Sequence, residues 1–328
     1  MTLKLGTRGS DLAMTQSRWV AGQLREAGVD TELVVISTSG DRSTAPTFGA
    51  IGPQGVFVRE IEEALADRRI DIAVHSFKDL PTASPAGLII GAVPARRDPA
   101  DWLFVPANSR TRRPGASAAT AGTPATSAPA QSEGLAVLAS LPPGSRIGTA
   151  SARRQVWIRH LRPDCELVSL RGNVPTRLKR LADGDYDAIL LAGAGIERLT
   201  EASDVLDAVL GEVERYRLDP HSFVPAPAQG ALAVQCREAD DDIRTALAHI
   251  DDRESHLAVD LERRALALAE GGCDSAFGAY ATVDAGDIAL QVMAERNGRI
   301  AQAAIAGDPD TLDHLAMQAL DSAAGEVP

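Results

Sequence analysis

Residues 68–76 read RRIDIAVHS and residues 184–192 read GDYDAILLA. Each is a polar turn, an aspartate and a short apolar run, the pattern of a strand buried on both faces. Ahead of the first, a strand ending in Leu5, Gly6 and Thr7 passes through Arg8 and Gly9 to Ser10 and a helix. Ahead of the second, a strand ending in Ile147, Gly148 and Thr149 passes through Ala150 to Ser151 and a helix. Apolar runs alternate with amphipathic stretches throughout: LKLG at 3–6, a helix from Ser10 to Ala27, ELVVIS at 32–37, a helix over 56–68 and LIIGAV at 88–93. The alternation resumes with RIGT at 146–149, a helix over 151–161, ELVS at 166–169 and a helix over 174–183. This predicts an α/β fold. In VFVREIEEALADRR, Val58, Ile61, Ala64 and Leu65 recur at three- and four-residue spacing, so that helix packs one face on a sheet. Two related α/β domains facing one cleft are expected, although Gly-Thr turns before helices are common and the repeat alone does not establish a duplication.

The chain has 328 residues, beyond the size at which one core usually keeps growing, so two or three domains are expected. A hydrophobic fraction of 45% and a charged fraction of 24% are those of a globular protein. The net charge of −12 and pI near 5.0 argue against a nucleic-acid surface, so any anion site must be built locally. No run of 18 apolar residues occurs and MTLKLGTRGSDLA carries no signal-peptide core, which points to a cytoplasmic protein with no membrane partner. Cys165, Cys236 and Cys273 form no CxxC pattern and the six histidines no metal spacing, so neither disulfides nor a metal are expected.

Residues 107–134 contain no large apolar side chain to offset the entropy of ordering and read as a mobile insertion. Domain 1 is expected over 1–104 with 220–237, domain 2 over 105–219, and a smaller α+β domain 3 over 238–328. The third should hold helices near 240–250, 254–270 and 309–324 and strands near 280–284 and 288–296.

Helix N-termini present unsatisfied N–H groups and partial positive charge, so strand–turn–helix junctions bearing Ser and Arg bind anions. Arg8 and Ser10 occupy the first such junction, and Ser151, Arg153 and Arg154 the second. Lys78, Arg171, Arg177 and Arg198 also fall beside turns or strand ends. In so acidic a chain these cations suggest a ligand with several carboxylates or phosphates, although each arginine taken singly also fits a solvated surface. Asp79 follows a buried strand that Pro81 stops; it fits either a cleft carboxylate or an Asx turn. Cys273 follows two glycines in a loop, where a packing cysteine is not needed, although a buried inert thiol is the commoner case. GAGIER at 193–198 imitates half of a dinucleotide fingerprint, but Arg198 replaces its third glycine.

GTRGSDLAMTQS, GVFVREIEEALADRRIDIAVHSFKDLPT, IGTASARRQVWIRHLRPD, SLRGNVPTRLKRLADGDYDAILLAGAGIERL, PAPAQGALAVQCR and EGGC, from Gly6 to Cys273, resemble in order the successive motifs of the hydroxymethylbilane synthases, or porphobilinogen deaminases. The resemblance implies two type II periplasmic-binding-protein-like α/β domains around a cleft and a smaller α+β C-terminal domain. It implies a monomeric transferase that condenses four porphobilinogens, with loss of ammonia, on a dipyrromethane cofactor. Cys273 matches the covalent attachment position. Ser151, Lys78, Arg153, Arg154 and Arg171 match cofactor-binding positions, and Arg8, Ser10, Arg177, Arg198 and Gln229 match substrate-binding ones. Asp79 matches the catalytic aspartate, which would stabilise cationic pyrrole species and assist proton transfer.

The sequence departs from the family at Pro53 and Gln54, where glycine and lysine are common, and at Asp274, Ser275, Ala276 and Phe277, where a Val-Pro-Ile type run is usual. The insertion is also longer than the usual connection. Two other readings stay open at this level: a noncatalytic small-anion binding protein, and a degenerate homologue without turnover. Arg153 and Arg154, at a helix start, are expected to serve ligand charge more than folding.

Overall fold

The computed structural model describes residues 2–36, 55–107, 133–269, 276–284, 286–296 and 298–325. Cys273, Pro53, Gln54 and residues 108–132 of the insertion lie outside them. The first unit holds β1 (Thr2–Thr7), α1 (Asp11–Glu26), β2 (Asp30–Val35), α2 (Gly55–Ala66), β3 (Ile72–Ser76) and β4 (Leu88–Ala92). The second holds β5 (Asp101–Pro106), α3 (Glu133–Ser140), β6 (Arg146–Gly148), α4 (Ala152–Leu161), β7 (Glu166–Val168), α5 (Val174–Ala182), β8 (Ala188–Ala192), α6 (Gly193–Ala202), α7 (Asp207–Leu210) and β9 (Val213–Arg217). Then come β10 (Leu232–Arg237), α8 (Asp241–Leu247), α9 (Arg253–Leu268), β11 (Phe277–Asp284), β12 (Asp287–Arg296), β13 (Arg299–Gly307) and α10 (Leu312–Gly325).

The two larger sheets share one topology. Their orders are β2-β1-β3-β10-β4 and β7-β6-β8-β5-β9. In the first, β1 runs parallel to β2 and β3, and β10 antiparallel to β3 and β4. In the second, β6 runs parallel to β7 and β8, and β5 antiparallel to β8 and β9. Each unit's antiparallel strand arrives by a crossing from the other unit, in agreement with the two type II binding-protein-like domains that the family resemblance implied.

The repeat extends to atomic detail. Asp71 and Asp187, the aspartates of the quoted stretches, accept the backbone N–H of Lys4 (2.8 Å) and Arg146 (2.7 Å). Two residues beyond each donor stands a glycine. A Cβ on Gly6 would meet Ile70 Cδ1 at 2.2 Å, and one on Gly148 would meet Tyr186 Cδ1 at 2.8 Å. In both units the residue two before the central strand lies against a glycine that no larger side chain can replace without a shift.

Three boundaries differ from the sequence reading. DWLFVP (β5) pairs in the second sheet, so the chain changes units near residue 100 rather than after 104; its short run after Pro99 gives no alternation from which to read a partner. Ile243, Leu247 and Ile250 pack with Leu3, Leu5, Val20 and Val234, so α8 covers the first sheet and the C-terminal core begins with α9 rather than at 238. The C-terminal sheet β11-β12-β13 has a third strand that alanine-rich RIAQAAIAG did not announce; nine residue pairs with β12 specify it. Packed on this sheet, α9 and α10 bury Leu261, Leu266, Leu315 and Ala319 against Phe277, Leu290 and Val292.

The units meet. Leu12 of α1 packs into the second unit's core, with its Cδ2 against Gly195 of α6. Glu262 of α9, fully buried, accepts from both terminal nitrogens of Arg96 (2.7 and 3.0 Å) and from the N–H groups of Ala228 (2.6 Å) and Ala281 (2.7 Å). One carboxylate thus ties the C-terminal unit to both crossing segments, with its lone pairs satisfied as a buried charge requires.

Candidate active site in the interdomain cleft

On the first unit, Ser10 caps α1 by accepting from the N–H of Ala13. One turn on, Gln16 and Ser76 exchange side-chain hydrogen bonds at 2.9 and 3.1 Å across α1 and β3. They border a cavity of about 210 Å³ whose polar lining includes Arg8, His75 and Asp79. Burial pushes His75 down to about 4, with nearby Gln235 opposing the fall and Arg8 adding to it, so its imidazole is neutral at pH 7. Asp79 is exposed, on the 3-10 turn Phe77–Asp79 that ends β3.

On the second unit, Ser151 caps α4 by accepting from the N–H of Arg154. Arg153 and Arg154 then turn inward, with relative exposures of 3% and 7%, onto Asp101, which is 0% exposed. Arg153 Nη2 lies 2.6 Å from Asp101 Oδ2; Arg154 Nε and Nη2 lie 3.0 and 2.7 Å from Oδ1. Their other bonds reach the carbonyls of Val224 (2.8 Å) and Leu190 (2.9 Å). Burial alone would raise the Asp101 carboxyl, but the two guanidinium groups hold it far below the usual carboxylate range.

The expectation that this pair serves ligands rather than folding is therefore corrected. Their carboxylate partner stands about 50 residues away on a strand that the sequence did not announce. Arg154→Leu removes the Nε and Nη2 bonds and leaves a buried carboxylate short of a partner, which should cost about 3–5 kcal/mol. Urea unfolding followed by circular dichroism measures this; a loss under about 1 kcal/mol would show the pair to be dispensable for folding.

Gln229, expected at the substrate, is 1% exposed and engaged within the protein. Its Nε2 donates to Pro99 O (2.7 Å) and Asp101 Oδ1 (2.9 Å), and its Oε1 accepts from Lys78 Nζ (3.1 Å). It joins the lysine of the first unit to the buried carboxylate of the second. Burial lowers Lys78 to about 8; Asp79 opposes the fall, Arg154 adds to it, Asp101 opposes it and Arg153 adds to it. The ammonium is thus charged at pH 7 and loses its charge as pH rises through about 8.

Arg177 donates through Nε to Gly172 O (2.7 Å). Burial and the nearby charge of Arg154 lower its guanidinium, and Asp79 raises it, so α5 reaches the same cluster. Arg198 is buried, donates through Nη2 to Gly230 O (2.8 Å), and is pushed down to about 10, first by burial and then by Arg97. Arg171 is exposed on the turn ahead of α5. The structure thus gathers Lys78, Asp79, Arg153, Arg154, Arg177 and Gln229 about one cleft, with Arg8 in the adjoining cavity. Ser10 and Ser151 are helix caps at its edges. Cys273 lies outside the described residues, and Phe277 is buried in the C-terminal core.

Sequence reasoning missed Asp101, Gln16 and His75. For Asp101 the usable signal was indirect: two adjacent arginines opening a helix need an acid if they are buried. Gln16 follows Ser10 by six residues on one helix, and His75 was hidden inside an apolar strand.

Fold and cleft define a class: an α/β protein of two binding-protein-like domains and a third domain, with a cation-rich cleft around one exposed carboxylate. The family model for "porphobilinogen deaminase, dipyromethane cofactor binding domain" matches residues 3–245. The porphobilinogen deaminase of Brevibacillus brevis is 38% identical over 309 residues, 94% of this chain and 85% of that protein. That of Syntrophobacter fumaroxidans is 37% identical, covering 99% and 96%, and that of Cutibacterium acnes 43% identical, covering 85% and 76%. Among solved structures, the periplasmic VFT2 domain of Bordetella pertussis BvgS aligns with a TM-score of 0.41 at 13% identity, over 76% of this chain and 86% of that one. The chain belongs to the porphobilinogen deaminase family. It is a transferase with hydroxymethylbilane synthase activity and a dipyrromethane cofactor.

Proposed function

We propose that the cleft binds the carboxylates of porphobilinogen and of the dipyrromethane through its cations, and that Asp79 does the proton and charge work of each condensation. The observation that carries this reading is the meeting of Lys78, Asp79, Arg177 and the Asp101-held arginine pair where the two units face each other.

The residues suit an anionic dipyrrole. Arg153 Nε and Arg198 Nε are buried with no hydrogen-bond partner among the described residues, so donors remain beyond those the fold uses. When bound, the cofactor supplies the nucleophilic pyrrole carbon of the primer. Lys78, Arg153, Arg154, Arg171 and Ser151 hold its acetate and propionate groups; Arg153 and Arg154 do so with N–H groups left over from Asp101. Arg8, Ser10, Arg177 and Arg198 hold those of the substrate. Gln229, sealed beneath, keeps Lys78 in place. The Asp79 carboxylate faces the positive charge that develops on a pyrrole nitrogen as ammonia departs, and takes up a proton once the new bond has formed. His75, neutral beside it, adds no competing positive charge.

Cys273 anchors the cofactor by a thioether. Cys236 is buried in β10, where burial pushes its thiol up to about 11, and burial likewise raises the Cys165 thiol. The partner is the small molecule porphobilinogen. The acidic net charge of −12 supports a reading without nucleic acid. No helix of the described residues is long and apolar enough to cross a membrane; a cytoplasmic monomer is our reading of the whole. Intact mass of the purified protein, native and denatured, tests the proposal. A mass increment of two pyrrole units that survives denaturation is expected, and an unmodified chain without turnover would instead mark a noncatalytic binding protein.

A further inference from the structure

Asp79 is exposed, yet the arc of chain that carries it is held at both ends. At its entry, the Phe77 N–H donates to Ala231 O (3.1 Å), just ahead of β10. At its exit the holder comes from the C-terminal unit. Arg263 of α9 places Nη1 3.2 Å from Leu80 O and, more loosely, 3.5 Å from Phe77 O, while Nη2 donates to Pro81 O. Its Cζ also lies 4.4 Å from the centroid of the Phe77 ring, which is 4% exposed.

β3 ends at the 3-10 turn Phe77–Asp79, so no sheet ladder takes these carbonyls, although Phe77 O also accepts from the Leu80 N–H (3.2 Å). A guanidinium can serve all three because its donors form a rigid planar fork and its face stacks on an aromatic ring; an ammonium offers one point charge. Glu262, the preceding residue of α9, grips Arg96 and the Ala228 N–H beside Gln229, which in turn holds Lys78. A single helix therefore fixes the backbone under Asp79 and the support of Lys78. That helix ends at Leu268, five residues before Cys273.

We propose that Arg263 is a positioning residue for Asp79, acting through the Phe77–Pro81 backbone, and that through it the cofactor-bearing unit sets where the carboxylate lies. The inference rests on the reading of Asp79 as the catalytic carboxylate. The carbonyl partners of Arg263 and the Phe77 ring all belong to the arc that carries Asp79, so its effect on turnover should pass through Asp79.

A double-mutant cycle on the cofactor-loaded enzyme tests this. Arg263→Met keeps an apolar stem over Phe77 but removes every donor. A displacement of about 1 Å at a catalytic group costs on the order of 10² in rate, so kcat should fall roughly 10- to 100-fold. KM should stay within about threefold, and the cofactor mass increment should remain. Arg263→Lys should recover part of kcat. In an Asp79→Asn background, Arg263→Met should lower kcat by less than about twofold further. A multiplicative loss in the double variant, or single-variant turnover within about twofold of the parent, overturns the proposal. If Arg263→Met fails to fold or load, Arg263→Lys is put through the same cycle and judged by the same non-additivity. Failure of the underlying reading shows separately, as near-parental turnover of Asp79→Asn alone.

Discussion

An Asp79→Asn protein is expected to fold, retain its cofactor and lose ~10²–10⁴ in kcat, the usual contribution of one general acid–base or charge-stabilising group. Asparagine keeps the shape of the side chain and its place on the 3-10 turn, so the backbone bonds to Ala231 and Arg263 should persist. What it removes is the negative charge and the proton acceptor. Lys78 and Arg177 lie within reach of its charge, so without the carboxylate the local field turns more positive just where a cationic pyrrole must form. The loss should accordingly appear in kcat, with substrate binding little changed, because the cations that hold carboxylates are untouched. Asp79→Glu keeps the charge but moves it by one methylene and should retain only a trace of activity. Single-turnover assays of ammonia release give the numbers; an Asp79→Asn enzyme within a few-fold of the parent would defeat the mechanism while leaving the family assignment intact.

The other large effect concerns attachment. Cys273→Ser should abolish both the mass increment and turnover, because without a thiol no thioether forms and each condensation lacks its anchored primer. Cys165→Ser and Cys236→Ser should keep both. Cys236 is fully buried between β3 and β4, so its variant will be less stable, having placed a hydroxyl in an apolar core. The stability loss is separable from the chemistry by mass spectrometry on the folded fraction. Retention of the increment in Cys273→Ser, or its disappearance in either of the other two, would move the anchor elsewhere.

The sequence by itself determined whatever is carried by short-range interactions. Helix caps at Ser10 and Ser151 act over three residues, and the buried strands IAVHS and AILLA announce themselves by apolar density. From these came two α/β units, their shared turn, and the cations and carboxylate of the cleft. Tertiary structure alone decided which of those side chains are free. Arg153 and Arg154 meet Asp101 across 52 and 53 residues, Gln229 meets it across 128, and Arg263 reaches Leu80 across 183. A charged side chain looks the same in sequence whether it awaits a ligand or is paired in the interior. Its partner is chosen by strand order and domain contact, to which periodicity of two or 3.6 residues is blind. The same holds for β5, β13 and α8: each is locally ambiguous, and each takes its place because burying it there satisfies hydrogen bonds or apolar surface contributed by distant segments.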